Sequence, residues 1–300
     1  MCDLLNYRGN DCHVVYKNLF IQGDDENIDA HISYIRRQVS DMWEKFKPLS
    51  DRHFIKEFRH NPDQRYWEMY LGACLLEKGF DIKSANEGPD FFLNLDHQKV
   101  WIEAITASPG EIEKADTVPK MLTLSEGGGV QNVPRDQIIL RYRNALSEKE
   151  KKFSVYKQRD IVGENDINII AISRASLRSW PEGDRIPFIL SALFPLGHEF
   201  LSIDRKTGEV VDQGHHFQAS IKKRNGADVE TLYFTDPVHS NISAVIYSSS
   251  DLGNPPKARG CDLVIIHNPL AKTPLPRKFF KFDTEFWAEE TGNGWKLHRD

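Results

Sequence analysis

Apolar side chains recur every three or four residues in two segments near the start of the chain. Residues 27–46 place such side chains at Ile28, Ile32, Ile35, Val39 and Trp43. This spacing aligns them along one face of an α-helix, and the acidic residues that precede it suit a helix N-terminus. A second helix is predicted from about residue 64 to a stop at Gly79.

Short apolar runs separated by turn-forming residues predict strands after these helices. The strand candidates cover residues 80–85, 90–95 and 100–106, with a hairpin turn at "NLDHQK" between the last two. Three prolines and a glycine triplet then predict a long loop over 107–136. A long helix at 136–159 precedes a strand at 167–174, which is almost wholly apolar and is expected to be buried on both faces. The predicted order is helix, three strands, helix, strand.

The rest of the chain is rich in strand patterns. A short helix is predicted at 186–193, and two hairpins are predicted to turn at Lys206–Gly208 and Asn225–Gly226. Two more apolar strands correspond to "ISAVIYSS" and "CDLVIIH". We therefore predict an α/β protein with a mixed central sheet and three parts. These are a helical N-terminal extension (1–60), a core (61–175) and a β-rich C-terminal elaboration packed on the core (176–300).

Composition narrows the classes of protein to which the chain could belong. No apolar run reaches the roughly 18 residues that a membrane span needs, so no membrane partner is expected. The four cysteines are scattered without a CxxC pair, and the N-terminus lacks a signal-peptide pattern, which favours the cytoplasm. The net charge of −5 argues against a uniformly basic surface. Residues 141–159 nevertheless hold seven Lys or Arg against two Glu, which fits a phosphate-binding groove and also ordinary surface charge.

Three acidic residues are predicted to converge on one point. Glu103 lies inside the apolar strand 100–106, and Asp90 begins the strand before it, so a hairpin would bring the two together. Glu68 shares a helix face with Gly72, whose lack of a side chain would let that face approach the sheet. Three converging carboxylates repel one another unless a divalent cation neutralises them. Mg²⁺ or Mn²⁺ would be such a cation, and phosphodiester hydrolysis is the chemistry that it would support.

Each of these residues also has a structural explanation of its own. A Pro-Asp pair before a strand is often a turn, and a helix glutamate is often solvated. Glu103 is harder to explain in this way, because an ionised carboxylate in a buried strand is costly unless it is paired or bound to a metal.

Residues 64–174 resemble the core of the PD-(D/E)xK nuclease superfamily, the restriction-endonuclease-like αβββαβ fold. Glu68 matches the helix glutamate of that family, Pro89-Asp90 matches its PD element, and Glu103 matches its strand acid. Ile105 stands at the lysine position and does not match. "GPDF" and "VWIEA" also resemble a group of uncharacterised bacterial proteins of this superfamily. The resemblance covers about a third of the chain.

The missing lysine could be supplied from another element, as it is in some members of the superfamily. The helix at 136–159 is the natural donor, and Lys149 or Lys152 is the predicted replacement. Arg141 is a predicted phosphate clamp and Gln137 a predicted phosphate contact near the helix start. Lys99 is a further candidate, although four strand residues separate it from Glu103, about 13 Å.

Two functions of different classes follow from the resemblance. The first is a Mg²⁺- or Mn²⁺-dependent nuclease that cleaves DNA rather than RNA, with Glu68, Asp90 and Glu103 as metal ligands and a displaced lysine. The second is a catalytically inactive nuclease-like protein that binds nucleic acid or a partner protein. Both functions are compatible with a homodimer.

Overall fold

The structure, a computed structural model, describes residues 3–21, 29–85, 87–111, 114, 116–122, 129–177, 180–181, 186–292 and 294–300. Its helices are α1 Val14–Tyr16, α2 Ala30–Phe46, α3 Phe54–His60, α4 Pro62–Glu77, α5 Arg135–Gln158 and α6 Phe188–Leu193. Its strands are β1 Phe91–Leu95, β2 Gln98–Thr106, β3 Ile167–Ser173, β4 Leu196–Ile203, β5 Val210–Phe217, β6 Ser220–Lys222, β7 Asp228–Glu230, β8 Ala244–Ser248, β9 Val264–His267, β10 Thr284–Thr291 and β11 Gly294–Arg299.

Seven of these strands form a mixed central sheet in the order β1-β2-β3-β8-β9-β10-β11. β1 and β2 are antiparallel, whereas β2, β3 and β8 run parallel to one another. β9 is antiparallel to β8, β10 is parallel to β9, and β11 closes the edge as an antiparallel strand. The prediction of an α/β protein with a mixed sheet is therefore confirmed. The four strands β8 to β11 extend the same sheet, so most of the sheet lies after residue 175.

Helices cover both faces of the sheet, and alternate side chains of β3 show which layer lies on each face. Ile169 and Ala171 belong to the apolar layer beneath α2, α3 and α4. Ile170 and Ile172 belong to the opposite layer, beneath α5 and α6. Because both faces are covered, all seven residues of β3 are buried, as its apolar sequence predicted.

The predicted strand at 80–85 is wrong. The segment makes only an isolated bridge, in which Lys83 and Phe92 exchange two backbone hydrogen bonds of 2.8 Å. Ile82 is buried and Phe80 packs against Phe280, but Asp81, Lys83 and Ser84 are exposed, so only two apolar side chains hold the segment against the core. The observed order from Pro62 is helix, two strands, helix, strand.

Most other predicted elements are present. The helices α2, α4, α5 and α6, the strands β8 and β9, and the hairpins β4–β5 and β6–β7 lie where the sequence predicted them. Ile28 lies outside the described residues, as do 112–113, 115 and 123–128 of the predicted loop; the described part of 107–134 contains no helix or strand. The β10–β11 hairpin was not predicted. No described helix has the length and apolarity needed to cross a membrane.

Gly72 allows a close approach, although the nearest neighbour is a helix rather than the sheet. A Cβ atom at Gly72 would lie 2.7 Å from Phe46 Cδ2 of α2 and 3.4 Å from Phe91 Cζ of β1. We expected Gly72 to let α4 approach the sheet. The structure shows that its closer contact is with α2 and that its contact with the sheet is secondary. The close packing fixes α4 against α2 and β1, and this sets the position of Glu68.

Candidate active site

Asp90 immediately precedes β1 and completes the hydrogen bonding of β2. The register pairs Phe91 with Ile102, so β2 continues past the end of its partner. Beyond that point the Ala104 N–H donates to Asp90 Oδ2 at 2.6 Å. The hairpin therefore carries the Asp90 carboxylate to the part of β2 that contains Glu103.

Gln64, a residue that sequence reasoning missed, completes the same strand edge from α4. Its Oε1 accepts hydrogen bonds from the N–H and hydroxyl of Thr106, at 2.8 and 3.1 Å, and its Nε2 donates to Ala104 O at 3.3 Å. Gln64 lies one helical turn before Glu68, and this i, i+4 spacing was the only sequence signal that could have indicated it.

Glu103 is buried and is compensated by cations from α5. Its Oε1 accepts hydrogen bonds from Lys149 Nζ at 2.7 Å and from Lys152 Nζ at 3.1 Å. Tyr156, which the sequence did not suggest, donates to Oε2 at 3.4 Å. Ile105 packs in the apolar layer beneath α5. The structure thus brings both predicted replacement lysines to the strand carboxylate while Ile105 fills the family lysine position.

Glu68, on α4, has an arginine partner. Arg65 Nη1 donates to Glu68 Oε2 at 2.7 Å, from one turn earlier on α4. The same guanidinium also pairs with Glu57 and Asp51, so it is shared among three carboxylates. Arg65 is a second residue that sequence reasoning missed, although its i, i+3 spacing from Glu68 was visible.

Burial and mutual repulsion perturb two of the three carboxyl groups. Burial, together with the charge of Asp90, raises the pKa of Glu68 to about 8 in spite of Arg65. Burial, together with the charge of Glu103, raises the pKa of Asp90 to about 6, against the opposing effects of Lys149 and the Ala104 N–H. The charge of Asp90 thus acts on Glu68 and that of Glu103 acts on Asp90, and we call these three carboxylates the acidic row; its positive charge does not offset the burial of Glu68 and Asp90.

The partners of Glu103 are perturbed in the same way. Burial alone would lower the pKa of Lys152, but the Glu103 carboxylate raises it above its usual value. Burial and the same carboxylate raise the pKa of Tyr156 to about 12. Both groups therefore keep their protons at neutral pH and act as hydrogen-bond donors to Glu103.

The donor chemistry of this row suits a hard divalent cation, but its present geometry pairs Glu103 with ammonium groups. Among the described residues, no hydrogen bond reaches Asp90 Oδ1 or Glu68 Oε1. Carboxylate oxygens of this kind are the ligands that Mg²⁺ and Mn²⁺ take. Within the same part of the chain, no three acidic, histidine or cysteine side chains are grouped closely enough to hold a metal ion. Asp90, Glu103 and Glu68 would be the candidate ligands of such an ion.

The other predicted site residues lie further away. Arg141 lies two turns before Lys149 on α5, about 12 Å along the helix axis, and its Nη1 is close to Gly110. Gln137 is partly buried near the start of α5. Lys99 Nζ lies 5.1 Å from the centre of the Phe92 ring and 5.0 Å from that of Trp101, so Lys99 packs on aromatic faces of the β1–β2 hairpin.

No family model, curated protein or solved structure matches this chain. The case for a function therefore depends on the geometry of the acidic row and on the elements that carry it.

Proposed function

We propose that this chain is a divalent-cation-dependent hydrolase of phosphodiester bonds in DNA, built on a restriction-endonuclease-like core. One observation carries the proposal: a lysine ammonium from α5 lies 2.7 Å from the buried strand carboxylate Glu103, although Ile105 occupies the lysine position of the family motif. The element order α4-β1-β2-α5-β3, with β1 antiparallel and β3 parallel to β2, also supports it.

The cation, Mg²⁺ or Mn²⁺, would be held by Asp90 and Glu103, with Glu68 as a third carboxylate. When bound, it would polarise a phosphate oxygen and lower the pKa of a bound water. The raised pKa values of Glu68 and Asp90 support such a site, because both carboxyl groups lack enough nearby positive charge to offset their burial, and a bound cation would supply it.

The lysines would serve as fixed positive charges near the reacting phosphate. Lys149 is buried, with a side chain 7% exposed, and is confined to the neighbourhood of Glu103. Lys152 is 46% exposed and can turn its ammonium towards a phosphate outside the protein. We therefore assign Lys149 to orienting the attacking water beside Glu103 and Lys152 to offsetting the negative charge that develops on the phosphate. Arg141 and Gln137 would contact flanking phosphates.

Cleavage assays with matched variants test this function. Wild-type protein is incubated with plasmid and single-stranded DNA in Mg²⁺ or Mn²⁺, next to Asp90→Asn, Glu103→Gln and Lys149→Gln. The control is Glu148→Gln, which removes an exposed carboxylate from the same helix. Loss of cleavage in the three site variants, with activity kept in the control, is expected. Equal activity in all five proteins would mean that the nuclease activity belongs to a contaminant or to another site.

An inactive nuclease-like protein that binds nucleic acid or a partner protein is the second candidate. The observation that favours it is the complete engagement of Glu103 by Lys149, Lys152 and Tyr156, which leaves this carboxylate charge-compensated without a cation. Under this alternative the wild type binds DNA in Mg²⁺ and does not cut it, and Asp90→Asn leaves the affinity unchanged.

A further inference from the structure

The hairpin formed by β4 and β5 is separate from the central sheet. The two strands form a two-stranded sheet of their own, and within the described residues no third strand pairs with either of them. The hairpin is fixed at its base, where the Arg135 guanidinium donates to Leu196 O at 2.7 Å and to Gln218 Oε1 at 2.9 Å. Beyond the base, residues 201–203 and 205–213 are exposed. A two-stranded hairpin is only marginally stable in water by itself, so its outer edges are suited to further pairing.

Large apolar side chains are exposed along this hairpin. Five of the twelve exposed large apolar side chains in the described part of the chain lie on it, namely Leu201, Ile203, Val210, Val211 and Phe217. Phe217 is 77% exposed and is the one aromatic residue among these twelve. Exposed apolar groups that are concentrated in one place are typical of a protein-binding surface. Residues 196–217 contain four acidic residues against two Lys or Arg, which disfavours nucleic acid as the partner of the hairpin.

The outer edge of β5 is open to pairing. Alternate residues of β5 turn their N–H and C=O groups away from β4, and among the described residues no backbone group of 210–217 forms a hydrogen bond outside the hairpin. β5 has no lysine or proline, the residues that commonly block such an edge. β11, the edge strand of the central sheet, has Lys296 and Arg299 in this role. The edge of β5 therefore lacks the protection that the central sheet has.

The sequence of β5 is complementary to its own reverse. In an antiparallel pair with twofold symmetry, residue i lies opposite residue j of the other copy, and i and j differ by an even number because alternate residues turn their hydrogen-bonding groups to the same side. The register centred on Gly214 places Asp212 opposite His216. It also places Phe217 opposite Val211, two of the exposed apolar residues. Each dimer would thus have two carboxylate–imidazole pairs and two apolar pairs across the new edge.

The neighbouring registers are less complementary. A centre at Asp212 places this carboxylate opposite its own copy, and a centre at His215 does the same for an imidazole. A centre at Gln213 leaves Asp212 opposite Gly214. Gly214 also suits the central position, because a Cβ atom there would lie 3.3 Å from Phe200 Cε1 of β4. The Phe200 ring thus covers the place where the glycine leaves the sheet without a side chain.

We propose that a second copy of this chain pairs with the open edge of β5, so that two hairpins form one four-stranded antiparallel sheet centred on Gly214. The partner is a second copy because both the complementary charges and the matching apolar residues lie within β5 itself. The proposal does not depend on the nuclease function. Pairing through two short strands buries less than the roughly 800 Å² per partner of a standard interface, so we expect a dimer that dissociates at micromolar concentrations.

Sedimentation equilibrium of the full chain across the micromolar range tests this proposal. The variants are Asp212→Lys, His216→Glu, the double variant that carries both changes, and Phe217→Ser. All three residues are exposed in the single chain, so these changes should leave its fold intact, and the melting temperature of each variant checks this. The matched control is Asp228→Lys, which makes the same charge reversal at an exposed residue of β7.

The wild type is expected to approach twice the mass of one chain as its concentration rises. Asp212→Lys removes the acceptor of His216, and His216→Glu brings a glutamate to Asp212. Each change occurs twice in the dimer and should weaken association about tenfold. The double variant restores opposite charges in the same register and should recover most of the affinity. Phe217→Ser should also weaken association about tenfold, and Asp228→Lys should leave it unchanged.

Three results would overturn the proposal. A wild-type chain that stays monomeric at the highest concentration would leave the hairpin to a different protein partner. Association that Asp212→Lys and Phe217→Ser weaken no more than Asp228→Lys does would place the interface on another surface. Single variants that weaken association without recovery in the double variant would contradict the register centred on Gly214. None of these measurements involves DNA cleavage, so the proposal can fail while the nuclease function stands, and the reverse.

Discussion

The three carboxylates of the acidic row differ in how their charge is compensated. Glu103 has two ammonium groups within 3.1 Å, whereas Glu68 shares one guanidinium with Glu57 and Asp51. Asp90 accepts one backbone N–H. The deficit of positive charge therefore lies at Asp90 and Glu68, and this is where the pKa values are raised. A divalent cation at this position would supply the missing charge.

The stability of the fold should therefore depend on pH and Mg²⁺ together. The folded pKa of Glu68 is about 8 against an ordinary 4.5, and that of Asp90 is about 6 against 3.8. The folded state then binds more protons than the unfolded state between about pH 4 and pH 8, so the free energy of unfolding falls as pH rises through this window. We expect the melting temperature in EDTA to fall as pH rises, and Mg²⁺ to restore it at the alkaline end with little effect at the acid end.

Differential scanning calorimetry across this window measures the effect. Glu68→Gln is the control, since it removes the group with the higher pKa and should flatten the pH dependence at its alkaline end. A gain from Mg²⁺ that is the same at every pH, and the same in Glu68→Gln, would show that the ion binds elsewhere.

The buried pair of Glu103 and Lys149 should be strongly coupled in stability. Glu103→Gln leaves the buried Lys149 ammonium without its nearest counter-charge, and breaking a buried pair in this way costs about 3–5 kcal/mol. Adding Lys149→Met removes the stranded charge, so the double variant should be more stable than the sum of the single changes predicts. Urea unfolding of the four proteins gives the coupling free energy.

An exposed ion pair provides the comparison for this cycle. Lys114 and Glu111 lie 2.6 Å apart with side chains 70% and 73% exposed, and such pairs contribute at most about 1 kcal/mol. The same double-mutant cycle is measured with Glu111→Gln and Lys114→Met. If its coupling free energy is as large as that of Glu103 and Lys149, the buried ion pair has no special role in the site.

At the scale of elements, the sequence predicted which segments come together but not how their polar side chains pair. Helical periodicity indicated α4 and α5, and the expected packing of α5 beside the strands led to the two lysines that contact Glu103. The contacts of Gln64 with Thr106 and of Arg65 with Glu57 could not be predicted, because they depend on how α4 packs against β2 and against α3. The false strand at 80–85 has the same cause, since a weakly apolar segment pairs only where a neighbour offers a suitable edge.

Close packing of α4 should make Gly72 intolerant of a side chain. Helix propensity alone would favour Gly72→Ala by about 0.5–1 kcal/mol. The added Cβ would lie 2.7 Å from Phe46, however, and this ring is buried between Phe54 and Phe91 with centroid distances of 5.1 and 6.1 Å. Overpacking of this kind costs about 1–3 kcal/mol, so we expect a net loss of stability.

Thermal or urea unfolding of Gly72→Ala checks this expectation. Gly292→Ala is the control, because a Cβ there would meet no atom within 4 Å. A Gly72→Ala protein that is as stable as the wild type would mean that Phe46 can move, and that α4 does not hold Glu68 rigidly.

At the scale of the whole molecule, one sheet joins the two parts of the chain that we predicted as a core (61–175) and a C-terminal elaboration (176–300). β3 pairs with β8 along its length, from Ile169 opposite Ala244 to Ser173 opposite Ser248. Local patterns indicated both strands, but the pairing of residues more than seventy positions apart carries no local signal. The β10–β11 hairpin was missed because β10 has no regular alternation of apolar and polar residues: Phe286, Trp287 and Ala288 are consecutive apolar residues, and the buried Glu285 before them is acidic.

The segment 61–175 should therefore not fold by itself. Without residues 176–300 the fully buried β3 would become an exposed, flat, apolar edge strand, which is a template for aggregation. We expect this fragment to be insoluble or to show no cooperative thermal transition by circular dichroism, whereas the full chain melts cooperatively. A soluble fragment with a sharp transition would show that the core is an independent domain and that β8 to β11 are an accessory.

The location of a bound divalent cation tests the central claim most directly. A crystal structure of the full chain grown with Mn²⁺, with data collected for anomalous scattering, would place the ion without assumption about activity. We predict one strong peak between the carboxylates of Asp90 and Glu103, with Lys152 displaced from Glu103. Absence of a peak at this position, with Lys149 and Lys152 still paired to Glu103, would contradict a metal-dependent active site.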